Sequence, residues 1–332
     1  MPYVVSQKQK IHYSVEGERG AWLVLHAPFG ETLDCWRRLG YLEEFERHYR
    51  VIMIDPLGQG RSQASEVDEC YDIKSRSQHV LDILEELRPG RVNYVGFGLG
   101  AMVGYQLAID APQRMRSMAL AGAHPYPITP EMQKVEEVIG LLSGQTIKAA
   151  GGQEGEVLKG RQEGEAIVGG GQEGEEFIGG QEGEELIGGQ EGEEFIGVEE
   201  ADPIKPCLEI VSDEKKKERM DAYIDLLKAE GPMSEEREAG IRQADPVALA
   251  RALTAMGRWP GVGPRLRAIR TPTVLFTDTR EDIFLAIREA GRSMPQARYH
   301  ILPELLFADG MLEADSLMPH LMEFLKRQRN NS

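Results

Sequence analysis

A doubly wound, mostly parallel α/β sheet is the fold class that this 332-residue sequence predicts, and three observations carry the prediction. Two near-continuous apolar runs, Ala21-Trp22-Leu23-Val24-Leu25-His26 and Arg50-Val51-Ile52-Met53-Ile54-Asp55, have the pattern of strands buried on both faces of a parallel sheet. Helical stripes alternate with such runs, as in Asp72 to Leu87, where Val80, Ile83, Leu84 and Leu87 share one face. Finally, Arg91-Val92-Asn93-Tyr94-Val95 leads through Gly96-Phe97-Gly98-Leu99-Gly100 into Ala101 to Ala108. That is a strand, a sharp turn and a helix, with glycines where backbones would meet.

The remaining elements follow in order. Residues 3–16 alternate loosely and end at Glu16-Gly17, which predicts an antiparallel hairpin at a sheet edge. A helix is expected from Trp36 through Phe45, between the first two buried strands. Ser117 to Gly122 gives the strand after the glycine-rich turn. The pattern stops near Pro125-Tyr126-Pro127 and resumes with the strand at Thr271 to Thr277. A helix (Ile283 to Gly291), a strand (Ala297 to Leu302) and an amphipathic helix (Ser316 to Arg327) complete it. Strands alternating with helices mean a parallel sheet covered on both sides.

Three segments result: a core of residues 1–127, an insertion of 128–262, and the rest of the core, 263–332. Two helices are expected in the insertion, Ser212–Lys228 and Pro246–Met256, the second started by Asp245 as N-cap and Pro246 at its first position. A tandem repeat fills residues 151–197. Gln-Glu-Gly-Glu begins at 153, 162, 172, 181 and 190, each copy followed by apolar residues such as Phe177-Ile178 or Leu186-Ile187. Sixteen glycines in this stretch argue against a helix, since each costs about 1 kcal/mol relative to Ala. A flexible acidic loop and a small stack of short strands both remain open; calcium-binding nonapeptide repeats place Gly and Asp differently.

Charge and composition exclude several classes of function. The net charge of −17 is concentrated: residues 150–200 carry −13, leaving about −4 elsewhere. No basic footprint for nucleic acid exists. No apolar run approaches the ~18 residues of a membrane helix, and the first residues lack the apolar core of a signal peptide. Three widely spaced cysteines, Cys35, Cys70 and Cys207, fit reduced thiols. A cytoplasmic protein without metal or cofactor is expected.

The glycine-rich turn resembles the nucleophile elbow of the α/β-hydrolase superfamily, G-x-S-x-G, with Gly98 where the serine stands. His26-Ala27-Pro28-Phe29-Gly30 resembles its H-G-x-x-G loop, and Asp55-Pro56-Leu57-Gly58-Gln59-Gly60-Arg61-Ser62 its D-x-x-G-x-G-x-S. The likeness covers about 60% of the chain, residues 1–125 and 262–332. It implies an α/β-hydrolase fold whose insertion is a cap carrying the Gly/Glu-rich repeat. It also implies that Asp282 stands in the place of the catalytic acid, and that the histidine slot falls on Phe307 or Ala308. Backbone donors of an oxyanion hole would come from Leu99 and, in one register, Phe29; the other register falls on Pro28, which has no N–H.

The resemblance therefore implies a catalytic triad missing both nucleophile and base. Residues expected at the pocket are His26, Phe97, His124 and Asp282, with His26 propping its loop, Asp55 fixing the glycine turn and Cys35 buried. Three functions remain open. One is a non-hydrolytic relative that binds a small, largely apolar ligand or a protein partner, as the N-myc downstream-regulated family exemplifies. The others are a serine-independent lyase, isomerase or cyclase, and an assembly protein, including a homo-oligomer, acting through the repeat.

Overall fold

The computed structural model describes residues 2–128, 133–144, 211–230, 233–277, 283–302 and 314–330. Eight strands form one sheet: β1 (Tyr3–Ser6), β2 (Gln9–Glu16), β3 (Ala21–His26), β4 (Tyr49–Ile54), β5 (Val92–Phe97), β6 (Met115–Ala121), β7 (Thr273–Thr277) and β8 (Ala297–Ile301). Their order is β1-β2-β4-β3-β5-β6-β7-β8. β1 and β2 pair antiparallel, β2 pairs antiparallel with β4, and all later pairings are parallel. The order of parallel strands reverses between β3 and β5. Open α/β sheets bind ligands at such a switch point, outside the carboxyl ends of the strands.

The helices are α1 (Cys35–Arg38), α2 (Tyr41–Glu46), α3 (Ile73–Leu87), α4 (Leu99–Asp110), α5 (Gln133–Ser143), α6 (Asp213–Glu230), α7 (Glu235–Ile241), α8 (Pro246–Arg258), α9 (Phe284–Ser293) and α10 (Ala314–Asn330). Strand alternation sends Val24, Ile52 and Tyr94 to one face, where α3, α4 and α9 cover them. Leu23, Leu25, Val51 and Met53 go to the other, under α1, α2 and α10. Both faces are dry, as continuous apolar strands require.

The single helix expected over 36–45 is instead two short ones. Gly40 takes φ 81°, a left-handed conformation that ends α1 and starts α2 at a new angle. Helices α5 and α7 are additional to the two expected in the insertion. The start of α8 is as expected: the Asp245 side chain accepts from the N–H groups of Val247 and Ala248, with Pro246 at the first position. Together α5 to α8 make a small apolar cluster from Leu142, Met220, Tyr223, Ile224, Ile241 and Leu249.

Contacts group the described residues before 145 and after 210 as one unit. The repeat at 151–197 lies outside the described residues, as does Cys207. Deleting 151–197 is expected to leave that unit folded, since shortening the connection from α5 to α6 lowers its closure entropy cost by only about 1 kcal/mol. Circular dichroism and the urea midpoint of the shortened chain check this; a shorter chain that fails to fold would make the repeat part of the core.

Candidate functional site

The site is built by glycine geometry at the end of β5. Gly98 has φ 51° and ψ −114°, a region that costs a side-chain-bearing residue about 1–3 kcal/mol. Its N–H donates to the Ala121 carbonyl (2.9 Å), tying the turn to β6. Its carbonyl accepts from Ala101 and Met102 and so opens α4. A Cβ at Gly100 would press into the His26 carbonyl oxygen, and one at Gly96 into that of Gly100. These two glycines let β3, β5 and α4 converge. At Gly98 the space is freer: a Cβ there would stand 3.3 Å from the Pro28 Cβ.

Leu99 begins α4, whose first N–H groups have no intrahelical acceptor and can face a ligand oxygen. Across from it runs the loop after β3. Pro28, nearest to Gly98, brings no N–H; Phe29 is partly buried and packs against both the core and the apolar cluster of α5 to α8. Helices α6 and α7 reach this loop. A Cβ on Gly30 would stand 3.5 Å from the Tyr223 hydroxyl of α6. Glu31, buried, accepts from Arg237 of α7 (2.7 Å) and from Arg38 of α1 (2.9 Å). Glu31→Gln keeps the shape but halves the carboxylate, and is expected to cost roughly 1.5–3 kcal/mol. Faster hydrogen exchange across α7 would report it; unchanged exchange would remove Glu31 as the anchor of α7.

The residues expected at the pocket are not all brought together. His26 is buried, with Nδ1 3.2 Å from the Ala27 carbonyl, and burial holds its pKa down to about 4. Its ring is neutral at pH 7 and turned inward. Phe97 is a core residue, fully buried against Trp36 and Tyr41 rather than open to a ligand. His124 follows β6 on the strand next to the elbow, is part-buried, and its Nδ1 accepts from the Tyr126 N–H (3.3 Å). Burial lowers its pKa. Asp282, Phe307 and Ala308 lie outside the described residues.

Asp55 fixes its turn by accepting from Leu33 N–H (2.7 Å), Arg61 N–H (3.0 Å) and His12 Nδ1 (2.7 Å). Cys35 is buried at the start of α1, and burial raises its thiol pKa well above the usual range. Sequence reasoning missed Glu31 and the buried pair Arg76 and His79 of α3. Arg76 donates its Nε to the Tyr71 carbonyl (2.9 Å) and burial lowers its pKa to about 10. No spacing in the sequence signals Glu31, because its partner is 206 positions away.

This arrangement is that of a hydrolase-type α/β sheet with the elbow at its switch point. A family model described as alpha/beta hydrolase fold matches residues 21–140. The putative carbamate hydrolase RutD of Variovorax paradoxus (strain S110) is 37% identical over 119 residues, 35% of this chain and 44% of that protein. The match thus spans less than half of that relative. Among solved structures, the enol-lactonase from Burkholderia xenovorans LB400 superposes with a TM-score of 0.66 at 18% identity, over 98% of this chain and 100% of that one. The bottromycin epimerase BotH does so with a TM-score of 0.60 at 15% identity, over 96% and 95%. The chain has the α/β-hydrolase fold, and its residues 21–140 match the model of that family. Among the described residues no helix is long and apolar enough to cross a membrane.

Proposed function

We infer that this is a hydrolase-fold protein that does not hydrolyse, and that it binds a small, largely apolar ligand at the elbow or a protein partner on its surface. The observation that carries the reading is Gly98: the backbone holds the strained elbow geometry, yet presents no side chain. Serine hydrolysis needs a hydroxyl, an imidazole and a carboxylate. Here Gly98 replaces the first, and Phe307 or Ala308 stands in the slot of the second. What remains is a polar tip of helix, the Leu99 N–H with that of Phe29, beside the apolar ring of Pro28. Those groups suit a ligand with one carbonyl or oxyanion on an apolar body. A reduced, cytoplasmic setting suits Cys35 and Cys70, both free and buried.

Activated short-chain esters are expected to show no saturable turnover. Gly98→Ser alone is expected to give no acyl-enzyme by mass spectrometry, because no imidazole stands ready to take the proton. Losing nucleophile and base costs about 10⁶ in turnover. An acyl-serine at 98 in the single variant would mean that another base serves the site and would overturn the reading.

The runner-up is an enzyme that uses the same site without a serine. One finding favours it: a neighbour of the same fold is by name an epimerase, a reaction other than hydrolysis. His124 and Asp282 would then carry the proton, and turnover of any substrate should collapse in His124→Ala and Asp282→Ala. Assembly through the acidic repeat is the third reading, and light scattering of the 151–197 deletion tests it.

A further inference from the structure

Away from the elbow, β2 and the turn after β4 carry a buried histidine–aspartate pair in which one ring nitrogen has no hydrogen-bond partner among the described residues. Along β2, Ile11 and Tyr13 point into the core while His12, Ser14 and Glu16 share the opposite face. Because β2 runs antiparallel to β4, its first residues lie beside the carboxyl end of β4, where Asp55 follows. His12 and Asp55 side chains are only 3% and 2% exposed, and Nδ1 stands 2.7 Å from Oδ2. A carboxylate that receives three donors only accepts, so Nδ1 carries a proton towards Asp55 and Nε2 is the ring nitrogen left over. That Nε2 has no hydrogen-bond partner among the described residues. Buried side-chain polar atoms are satisfied in the large majority of cases, so the orphan nitrogen calls for a partner.

His12 lines a cleft of about 500 Å³, together with Ser14, Asp34, Arg37 and Gln243. That volume falls within the range of small-molecule pockets, roughly 300–1,000 Å³. We propose that this cleft is a second ligand site, built for a small polyhydroxylated molecule such as a sugar or polyol.

The wall chemistry selects that class. Arg37 is already held by Asp34 (2.9 Å) and donates to Ser14 (3.4 Å), while Glu16 adds a second carboxylate. The cleft's carboxylates, Asp34, Glu16 and Asp55, outnumber its two cations, Arg37 and Arg61, which disfavours a carboxylate or phosphate ligand. An apolar ligand would leave Nε2 unmet. A hydroxyl both donates and accepts, so one hydroxyl can pair with Nε2 while others pair with the Gln243 amide and the Ser14 hydroxyl. The Tyr3 ring packs against His12 with ring centroids 5.1 Å apart and is itself 45% exposed, so a ligand that reaches Nε2 would displace it. β4 and β3 stand between β2 and β5 in the sheet, a separation of three strand spacings, roughly 14 Å. The site therefore stands or falls independently of the elbow.

The test is NMR on the full chain with ¹⁵N-labelled histidine, titrated with D-glucose, D-ribose and myo-inositol, and separately with sodium acetate and inorganic phosphate. The expected result is a saturable movement of the His12 Nε2 resonance with at least one polyol and with neither anion. Gln243→Ala, an exposed change on the rim, is expected to weaken that binding roughly three- to tenfold, the worth of one net hydrogen bond. Ser14→Ala should act in the same direction, and neither variant threatens the fold as a change at His12 does. An Nε2 resonance that no polyol moves, that only anions move, or that titrates in both rim variants as it does in the unaltered chain would overturn the proposal.

Discussion

Asp55→Ala is expected to lower the stability of the chain by about 3–5 kcal/mol, the cost of breaking a buried pair by removing one partner. The carboxylate accepts from three groups that belong to three separate segments: His12 on β2, Leu33 before α1, and Arg61 in the turn after β4. Its backbone carbonyl also accepts from the Ser62 hydroxyl (2.7 Å), whose oxygen in turn accepts from the His12 N–H (2.9 Å). Truncation leaves each donor facing a cavity, at about 1–3 kcal/mol apiece before relaxation and water entry reduce the sum. Domains of this kind have only about 5–15 kcal/mol to lose. The measurement is the urea midpoint at pH 7. Asp55→Asn should fall between, because its amide keeps one acceptor oxygen but turns an NH₂ towards a donor. Gly60→Ala offers an independent route to the same damage: its Cβ would collide with the Asp55 carboxyl group, at φ +53°. A wild-type midpoint in Asp55→Ala would mean that the loops find other partners, and that the carboxylate is not their common anchor.

The contrast between what was and was not readable beforehand follows from range. The sheet was legible because burial on both faces leaves continuous apolar runs, and the local pattern of Ala21–His26 or Tyr49–Ile54 records it without help from distant residues. The elbow was legible for a related reason: Gly96, Gly98 and Gly100 answer to contacts made within one strand–turn–helix. The break at Gly40 was missed because the apolar stripe of Trp36, Tyr41 and Phe45 continues across it; only the left-handed backbone at a single residue separates two helices. Helix α7 has a sequence signal that went unused, Ser234 capping the Arg237 N–H ahead of Glu235 and Glu236. The polar ties were not legible at all. His12 and Asp55 are 43 positions apart, and Glu31 and Arg237 are 206 apart. Charge pairing over such distances leaves no periodicity to read. Phe97 illustrates the opposite error, in which a residue beside the elbow in sequence points through the sheet into the core, since neighbours on a strand face opposite ways.

Acid should unfold the chain more steeply than its carboxylates alone require. His26 and His79 are both buried, and burial depresses their pKa values from 6.5 to about 4 and about 3. Burial is the largest cause, and the Arg76 cation, with the His26 ring in the case of His79, contributes to the same shifts. A ring whose folded value lies below its unfolded value takes up a proton on unfolding. Its contribution is therefore fully present above pH 6.5 and is lost as the pH falls from there towards the folded values near 4 and 3. Each shift taken alone corresponds to roughly 3–5 kcal/mol between those limits. Between pH 6 and 5 the two rings together should make stability fall with a slope approaching two protons, about 2.7 kcal/mol per pH unit. His124 and His300, which burial also lowers, add to that slope. A variant comparison isolates the term. His79→Leu removes a side chain whose Nε2 has no partner, so it is expected to fold at pH 7. Its stability should decline with pH by nearly one proton less, about 1.4 kcal/mol per pH unit. Urea midpoints at half-unit steps from pH 7 to 5 give both slopes. Parallel lines for the two proteins would mean that His79 titrates alike in the folded and unfolded chain, and that the buried row of His26, Arg76 and His79 is open to water.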